Sequence, residues 1–187
     1  MLELTLFFIA SIMGTLGHYL YNITNNNPIA GFFFAKNEST FEHLKLGITP
    51  ILILSIVEKA KLINNNILAI KGIQIFIFST IIIVFYYLKK LFFKKENAIY
   101  NIALFYISLF ISYIVSFILL NIIDLNIIIR IFGILSVCLF IGLYFYTALF
   151  EPNYLIFKNP LEKKENWFYH LRRYNSHSWL WMKPHQF

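Results

Sequence analysis

The sequence is poor in the residues that water-facing and disulfide-bonded proteins need. Only 13% of its 187 residues are charged, whereas soluble domains carry about 25%. A single cysteine, Cys138, excludes an intrachain disulfide and leaves the cell compartment unassigned. The sequence has no glycine-rich phosphate loop, no G-x-S-x-G elbow, no dinucleotide-binding fingerprint and no H-E-x-x-H pair. These absences remove the enzyme classes that such motifs identify.

Long apolar blocks dominate what is present. Hydrophobic residues make up 59% of the chain and aromatic residues 19%, and the mean hydropathy is +0.66. A helix needs about 20 apolar residues to cross the hydrocarbon core of a bilayer. The sequence therefore predicts an all-α, polytopic transmembrane helix bundle with about five spans. The predicted spans cover residues 2–21, 39–57, 67–88, 99–123 and 127–150.

Two domains are expected. Residues 1–160 form the transmembrane helical domain, and residues 161–187 form a basic, Trp-rich tail at the membrane interface. The net charge of +7 lies mainly in this tail and in one lysine-rich loop, which indicates anionic lipid rather than nucleic acid. The lipid bilayer is thus the predicted partner, and protein partners stay open.

The distribution of lysines predicts the orientation. With the N-terminus outside, the cytoplasm receives Lys36, the basic tail and the lysines at positions 89, 90, 94 and 95. The outside then receives mainly Lys59, Lys61 and Lys71. The positive-inside rule favours this arrangement and places the C-terminus in the cytoplasm. Glu58 is expected to face outer water beside Lys59.

Small residues at four-residue spacing predict where helices pack closely. One such stripe is Ser108, Ser112 and Ser116, and another is Cys138 and Gly142. A third runs through Ala10, Gly14 and His18, which predicts that His18 faces other helices and not lipid.

The nine residues from Asn37 to Lys45 read N-E-S-T-F-E-H-L-K and open the second apolar block. Carboxylates and imidazoles at a bilayer boundary are costly, so such residues are candidate functional groups. His18 lies near the loop end of the first block, and one loop joins the two blocks. We therefore predict a functional cluster at the cytoplasmic mouth of the first two helices. This first-loop cluster comprises His18, Asn37, Glu38, Glu42, His43 and Lys45.

The first-loop cluster suits two kinds of chemistry. Imidazoles and carboxylates bind zinc, iron or manganese, so the candidate metal ligands are His18, Glu42 and His43 and the candidate cofactor is a divalent transition metal. The same groups can instead relay protons, because imidazole titrates near neutral pH.

A structural interpretation competes with both. Residues 39–42 read S-T-F-E and match a capping box, in which Ser39 accepts from the amide of Glu42 and Glu42 reaches back to the amide of Ser39. Glu42 is therefore expected to be a helix cap more than a ligand. The cap does not account for His18 or His43.

Two further features lie beside this cluster. Pro50 should kink the second helix near Gly47, a common structural feature of membrane helices. The loop over residues 22–36 is apolar at its centre, and we interpret it as an interfacial anchor rather than a lid.

Several short motifs resemble a known family. The chain has G-H-Y-L-Y at 17–21, N-N-P-I-A-G-F-F at 26–33 and then N-E-S-T-F-E-H-L-K. These are similar to the motifs H-x-L-Y, N-P-x-x-G and N-E-S-x-W-E-H-x-K of a family of small, functionally uncharacterised bacterial multi-pass membrane proteins. Phe41 stands where that family usually has Trp. Residues 151–161 resemble its Pro-rich F-x-D-P turn, with Asn159 in place of Asp.

The resemblance implies a multi-pass protein of the bacterial cytoplasmic (inner) membrane. Its signature residues would be the first-loop cluster, and it implies no established activity or cofactor.

Three functions remain open from the sequence. The leading hypothesis is a non-enzymatic membrane protein that binds an ion, a proton or a small ligand at the first-loop cluster. The second is a membrane-embedded metal-dependent enzyme, with His18, Glu42 and His43 as ligands and Glu38 as general base. The third is a structural or partner subunit of a membrane complex, whose basic tail docks lipid or protein.

Overall fold

The protein is all-helical over the residues that the structure describes. This structure is a computed structural model, and it describes residues 2–37, 39–62, 66–92, 98–122, 125–149 and 156–157. These residues form six helices and no strand. The helices are α1 (Leu2–Ile23), α2 (Pro28–Phe33), α3 (Thr40–Lys61), α4 (Ile67–Phe92), α5 (Ala98–Leu120) and α6 (Ile127–Leu149). The predicted tail at 161–187 lies outside the described residues.

Five of the helices are long and apolar enough to cross a membrane, which confirms the predicted fold class and number of spans. They cover Leu2–Ile23, Thr40–Lys61, Ile67–Lys89, Ile99–Leu120 and Ile127–Thr147. The sixth, α2, lies within the predicted first loop. Asn27 caps it by accepting a hydrogen bond from the amide of Ile29 at 2.8 Å, and Pro28 occupies its first turn, where proline is favoured because its missing N–H is not needed.

Helix α4 lies at the centre of the bundle. It packs against α3, α5 and α6, while α1 packs against α3 and α5. The short helix α2 contacts α1, α3 and α6. Over an 18-residue stretch of each span, 67% of the residues of α3 and 56% of those of α4 are buried. The corresponding share is 22% in α1 and 28% in α5 and in α6, so α3 and α4 can carry polar side chains that never meet lipid.

The predicted packing stripes on α5 and α1 are confirmed. Ser108, Ser112 and Ser116 are fully buried. A β-carbon added to Gly14 would lie 2.7 Å from the carbonyl oxygen of Leu46, so the backbones of α1 and α3 approach closely there.

The predicted stripe on α6 is wrong. Cys138 is exposed, and a β-carbon added to Gly142 would meet nothing within 4 Å. The close contact of α6 is made instead by Gly133, where a β-carbon would lie 2.0 Å from the carbonyl oxygen of Ala69 in α4. Four-residue spacing alone identified a stripe on the wrong face, because spacing does not say which face of a helix has a neighbour.

Helix α3 runs from Thr40 to Lys61 as one helix through Pro50.

An apolar layer fills the middle of the bundle, at the level between the two ends of α3. Its buried side chains come from α3, α4 and α5 and include Ile48, Ile51, Leu54, Ile75, Phe78 and Leu109. This layer separates the polar groups at one end of α3 from those at the other.

Candidate functional site

The start of α3 is capped, but only half of the predicted capping box forms. The side-chain oxygen of Ser39 accepts from the amide of Glu42 at 3.3 Å, as predicted. The amide of Ser39 donates to the side chain of Asn37 at 2.9 Å, and not to Glu42. The carboxylate of Glu42 instead accepts from the amide of Lys36 at 2.8 Å. Glu42 therefore ties the preceding loop to α3.

Lys45 extends this network to α2. Its ammonium lies 2.7 Å from the carboxylate of Glu42 and 3.4 Å from the carbonyl oxygen of Gly31, and the side chain is fully buried. One turn further along α3, the hydroxyl of Thr49 donates to the carbonyl oxygen of Phe33 at 2.6 Å. A cation and a hydroxyl thus satisfy carbonyl groups of α2, which need external partners at a helix C-terminus.

The same motif holds the segment that follows α6. The amide of Phe41 donates to the carbonyl oxygen of Ile156 at 2.9 Å. The ring of Phe41 lies 4.9 Å from that of Phe157, and its side chain is 1% exposed. The N-E-S-T-F-E-H-L-K motif therefore joins three parts of the chain at one end of the bundle, namely the first loop, α3 and residues 156–157.

His18 and His43 meet as predicted. Their ring centroids are 5.5 Å apart and both residues are half-buried. The Nδ1 atom of His43 lies 3.0 Å from the carbonyl oxygen of Ser39. In neutral His43 this contact places the proton on Nδ1 and leaves Nε2 as the basic nitrogen.

The structure does not assemble the three predicted metal ligands into one group of ligands. Among the described residues, no group of three or more His, Cys, Asp or Glu side chains is placed to hold a metal ion. Glu42 is committed to Lys45 and to the amide of Lys36. The predicted general base, Glu38, lies outside the described residues.

Replacing Ser39 with alanine tests the cap. We expect Ser39→Ala to lower the free energy of unfolding by about 1 kcal/mol, because the amide of Glu42 loses its acceptor. Ser55→Ala is the matched control, since the Ser55 hydroxyl donates only within α3, to the carbonyl of Leu52 at 2.6 Å. Thermal unfolding in detergent measures both. Equal stability of the two variants would contradict the assigned cap.

A second set of charges, which was not predicted from the sequence, lies at the opposite end of α3. This ionic cluster comprises Glu3 of α1, Glu58 of α3, Lys71 and Gln74 of α4, and Ser116 of α5. The ammonium of Lys71 lies 2.6 Å from Glu58 Oε2 and 3.4 and 3.5 Å from the two oxygens of Glu3. It also donates to Gln74 Oε1 at 2.9 Å and to the hydroxyl of Ser116 at 2.8 Å.

The ionic cluster is closed to solvent. Lys71 and Glu58 are each 1% exposed and Glu3 is 6% exposed. The ammonium also lies 5.4 Å from the ring centre of Tyr113, within the range of a cation–π contact. Burying ionised groups is costly unless they are paired and hydrogen-bonded, and here one ammonium meets four different side chains through five oxygen atoms.

The prediction that Glu58 faces outer water with Lys59 is therefore wrong, and Lys71, which was counted among the outer lysines, is buried inside the bundle. Lys59 is exposed, but Glu58 turns into the bundle. The sequence did indicate that these charges lie at the same end of the bundle. In a five-span topology, the first residues of α1 and α4 lie on the same side of the membrane as the last residues of α3 and α5. Glu3, Glu58 and Lys71 each lie within about one turn of those helix ends.

The two clusters are distinct sites. Glu42 and Glu58 are 16 positions apart on α3, which is about 24 Å at 1.5 Å per residue. The apolar layer lies between them. The observed groups thus allow chemistry at either end of the bundle.

This architecture, with charged groups enclosed by helices of membrane-spanning length, defines an integral membrane protein of the helix-bundle class. Residues 3–165 match a family of unknown function, DUF6512, and the chain belongs to that family. No curated protein and no solved structure matches the chain.

Proposed function

We propose that this membrane protein binds a small cation, either a proton or a metal ion, inside its helix bundle at the ionic cluster. One observation carries the proposal. Two carboxylates, Glu3 and Glu58, surround the single ammonium of Lys71 where water is excluded. When all three groups are ionised, one negative charge stays unbalanced, and an unbalanced charge is strongly unfavourable there. A bound cation removes that charge.

A purely structural role explains the cluster less well. One carboxylate suffices to pair one buried ammonium, and well-packed apolar residues often replace a buried ion pair without loss of stability. A second buried carboxylate adds a desolvation cost and increases like-charge repulsion. Ionisable groups that face the interior of a membrane bundle commonly mark ion or proton sites.

A second candidate function places the ion, proton or small ligand at the first-loop cluster. The observation in its favour is the 5.5 Å approach of the His18 and His43 rings, since two adjacent imidazoles can exchange a proton. The buried Glu42–Lys45 pair beside them has structural partners in α2 and the first loop. A metal-dependent enzyme has less support, because its ligand set is not assembled among the described residues.

The orientation and the tail remain part of this proposal. With the N-terminus outside, the ionic cluster lies at the outer end of the bundle and the first-loop cluster at the cytoplasmic end of a bacterial inner-membrane protein. A basic tail that contacts anionic lipid, or a role as partner subunit, would act from the cytoplasmic side.

Equilibrium stability measurements test the proposed function. A ligand that binds the folded state at 100 times its dissociation constant adds about 2.7 kcal/mol. The thermal midpoint of the full chain in detergent is therefore measured against pH and, at constant ionic strength, against Na⁺, K⁺, Mg²⁺ and Ca²⁺. We expect at least one cation to shift the wild-type midpoint and Glu58→Gln to remove that shift.

Two variants separate the candidate sites. Glu42→Gln is the matched control, because Glu42 is also a buried carboxylate paired with a lysine, and it should keep the shift. A shift that disappears in His43→Gln but persists in Glu58→Gln would move the function to the first-loop cluster. A midpoint that no cation and no pH change alters would refute binding at both sites.

A further inference from the structure

The ammonium of Lys71 already occupies the place that a metal ion would need. Its nitrogen contacts both carboxyl groups, and it also uses the side-chain oxygens of Gln74 and Ser116. A hard cation such as Ca²⁺ needs six to eight oxygen ligands at about 2.3–2.6 Å and would also be repelled by the neighbouring ammonium. The ionic cluster has too few uncommitted oxygens for such an ion.

The two carboxyl groups meet at the same ammonium. Lys71 Nζ lies 2.6 Å from Glu58 Oε2 and 3.4 Å from Glu3 Oε1, and Glu58 Oε1 is buried with no hydrogen-bond partner among the described groups. Ionised carboxylates only accept hydrogen bonds, so two carboxylates side by side cannot satisfy each other unless one of them carries a proton. A proton also needs no ligand beyond a carboxyl oxygen.

We propose that Glu3 and Glu58 share one bound proton beside the Lys71 ammonium, so that the protein is a proton-binding membrane protein. This inference rests on the proposed function and identifies its cation as H⁺. With the proton bound, one carboxylic acid, one carboxylate and one ammonium give a neutral cluster. When the proton leaves to water, the cluster carries one net negative charge.

Other titratable side chains of the described residues lie at this end of the bundle. Tyr113 of α5 faces the cluster through its ring. On α3, Lys59 and Lys61 are exposed, and Arg130 of α6 is half-buried at the same end of the bundle. The cluster lies about one helical turn from the ends of α1, α3, α4 and α5. A proton therefore has a shorter path to water at this end than across the apolar layer.

Infrared spectroscopy tests the shared proton directly, because the carbonyl stretch of a protonated carboxyl group differs from the bands of a carboxylate. The full chain is purified in detergent at neutral pH and compared with Glu3→Gln, Glu58→Gln and the control Glu42→Gln. We expect a protonated-carboxyl band in the wild type that shifts in D₂O and disappears as pH is raised. The band should be absent from both Glu3→Gln and Glu58→Gln, since the remaining carboxylate then pairs with Lys71, and present in Glu42→Gln.

The thermal midpoint provides a second readout. It should fall in the wild type as pH rises and the proton leaves, and this fall should be smaller in Glu58→Gln. A wild-type spectrum without the band, or a band that survives in both glutamine variants, overturns the shared proton. If either variant fails to fold, the D₂O shift and the pH titration of the wild-type band still decide the question.

The failure of this inference differs from the failure of the proposed function. A midpoint that responds to Na⁺ or Ca²⁺ through Glu58, with no protonated band, leaves cation binding intact and excludes the proton. A protonated-carboxyl band that never titrates would indicate a proton that is permanently bound. Together with a midpoint that no cation and no pH change alters, it would refute both the proposed cation binding and the exchangeable shared proton.

Discussion

Replacing Lys71 with methionine is expected to destabilise the bundle more than any other single substitution considered for the ionic cluster. The variant leaves the carboxyl groups of Glu3 and Glu58 buried without a cationic partner. Removing one partner of a buried ion pair typically costs roughly 3–5 kcal/mol, because the other charge stays desolvated and unpaired. Methionine keeps the length and much of the volume of lysine, so the loss reports charge more than packing. The readouts are the yield of monodisperse protein in detergent and its thermal midpoint.

Two further variants make this result specific. Lys59→Met is the matched control, because Lys59 lies on the exposed side of α3 one residue after Glu58, and its removal should change stability little. The triple variant Lys71→Met, Glu3→Gln and Glu58→Gln removes all three charges and should recover much of the loss. Equal stability of Lys71→Met and Lys59→Met would show that the Lys71 ammonium is not buried among carboxylates.

Adding one methyl group to Gly72 is expected to separate α4 from α6. A β-carbon at Gly72 would lie 1.8 Å from the carbonyl oxygen of Gly133, and one at Gly133 would lie 2.0 Å from that of Ala69. Both neighbours are backbone atoms, so the helices themselves must move apart. Overpacking a well-packed core costs about 1–3 kcal/mol, and lost contact between membrane helices is not replaced by a hydrophobic driving force. Gly72→Ala and Gly133→Ala should each lower the thermal midpoint markedly.

Gly142→Ala is the control for this experiment. Gly142 lies on the same helix as Gly133, and a β-carbon there would meet nothing within 4 Å. Alanine in a helix interior is more favourable than glycine by about 0.5–1 kcal/mol, so this variant should be as stable as the wild type or slightly more so. A Gly142→Ala variant that is as unstable as Gly133→Ala would show that the loss does not come from the close contact between α4 and α6.

The apolar blocks determined the fold class, because a stretch of about 20 apolar residues has few alternatives to a membrane-spanning helix. They predicted the five long helices within a few residues. The cap at Ser39 and the meeting of His18 with His43 were also readable, since both follow from local spacing and from one short loop. The composition of the first loop did not reveal α2. This six-residue helix has carbonyl groups that accept hydrogen bonds from side chains of α3.

The roles of individual charges depended on tertiary structure. Glu58 and Lys59 are neighbours in sequence, yet one is buried against Lys71 and the other is exposed. The sequence by itself determined which segments are helices and which residues are charged, because hydrophobicity and local hydrogen bonding act over a few residues. Only the tertiary structure decided which of those charges meet, because the direction of a side chain around a helix matters only once neighbouring helices are in place. Glu3, Glu58 and Lys71 come from three different helices, and their contact exists only when α1, α3 and α4 are packed together.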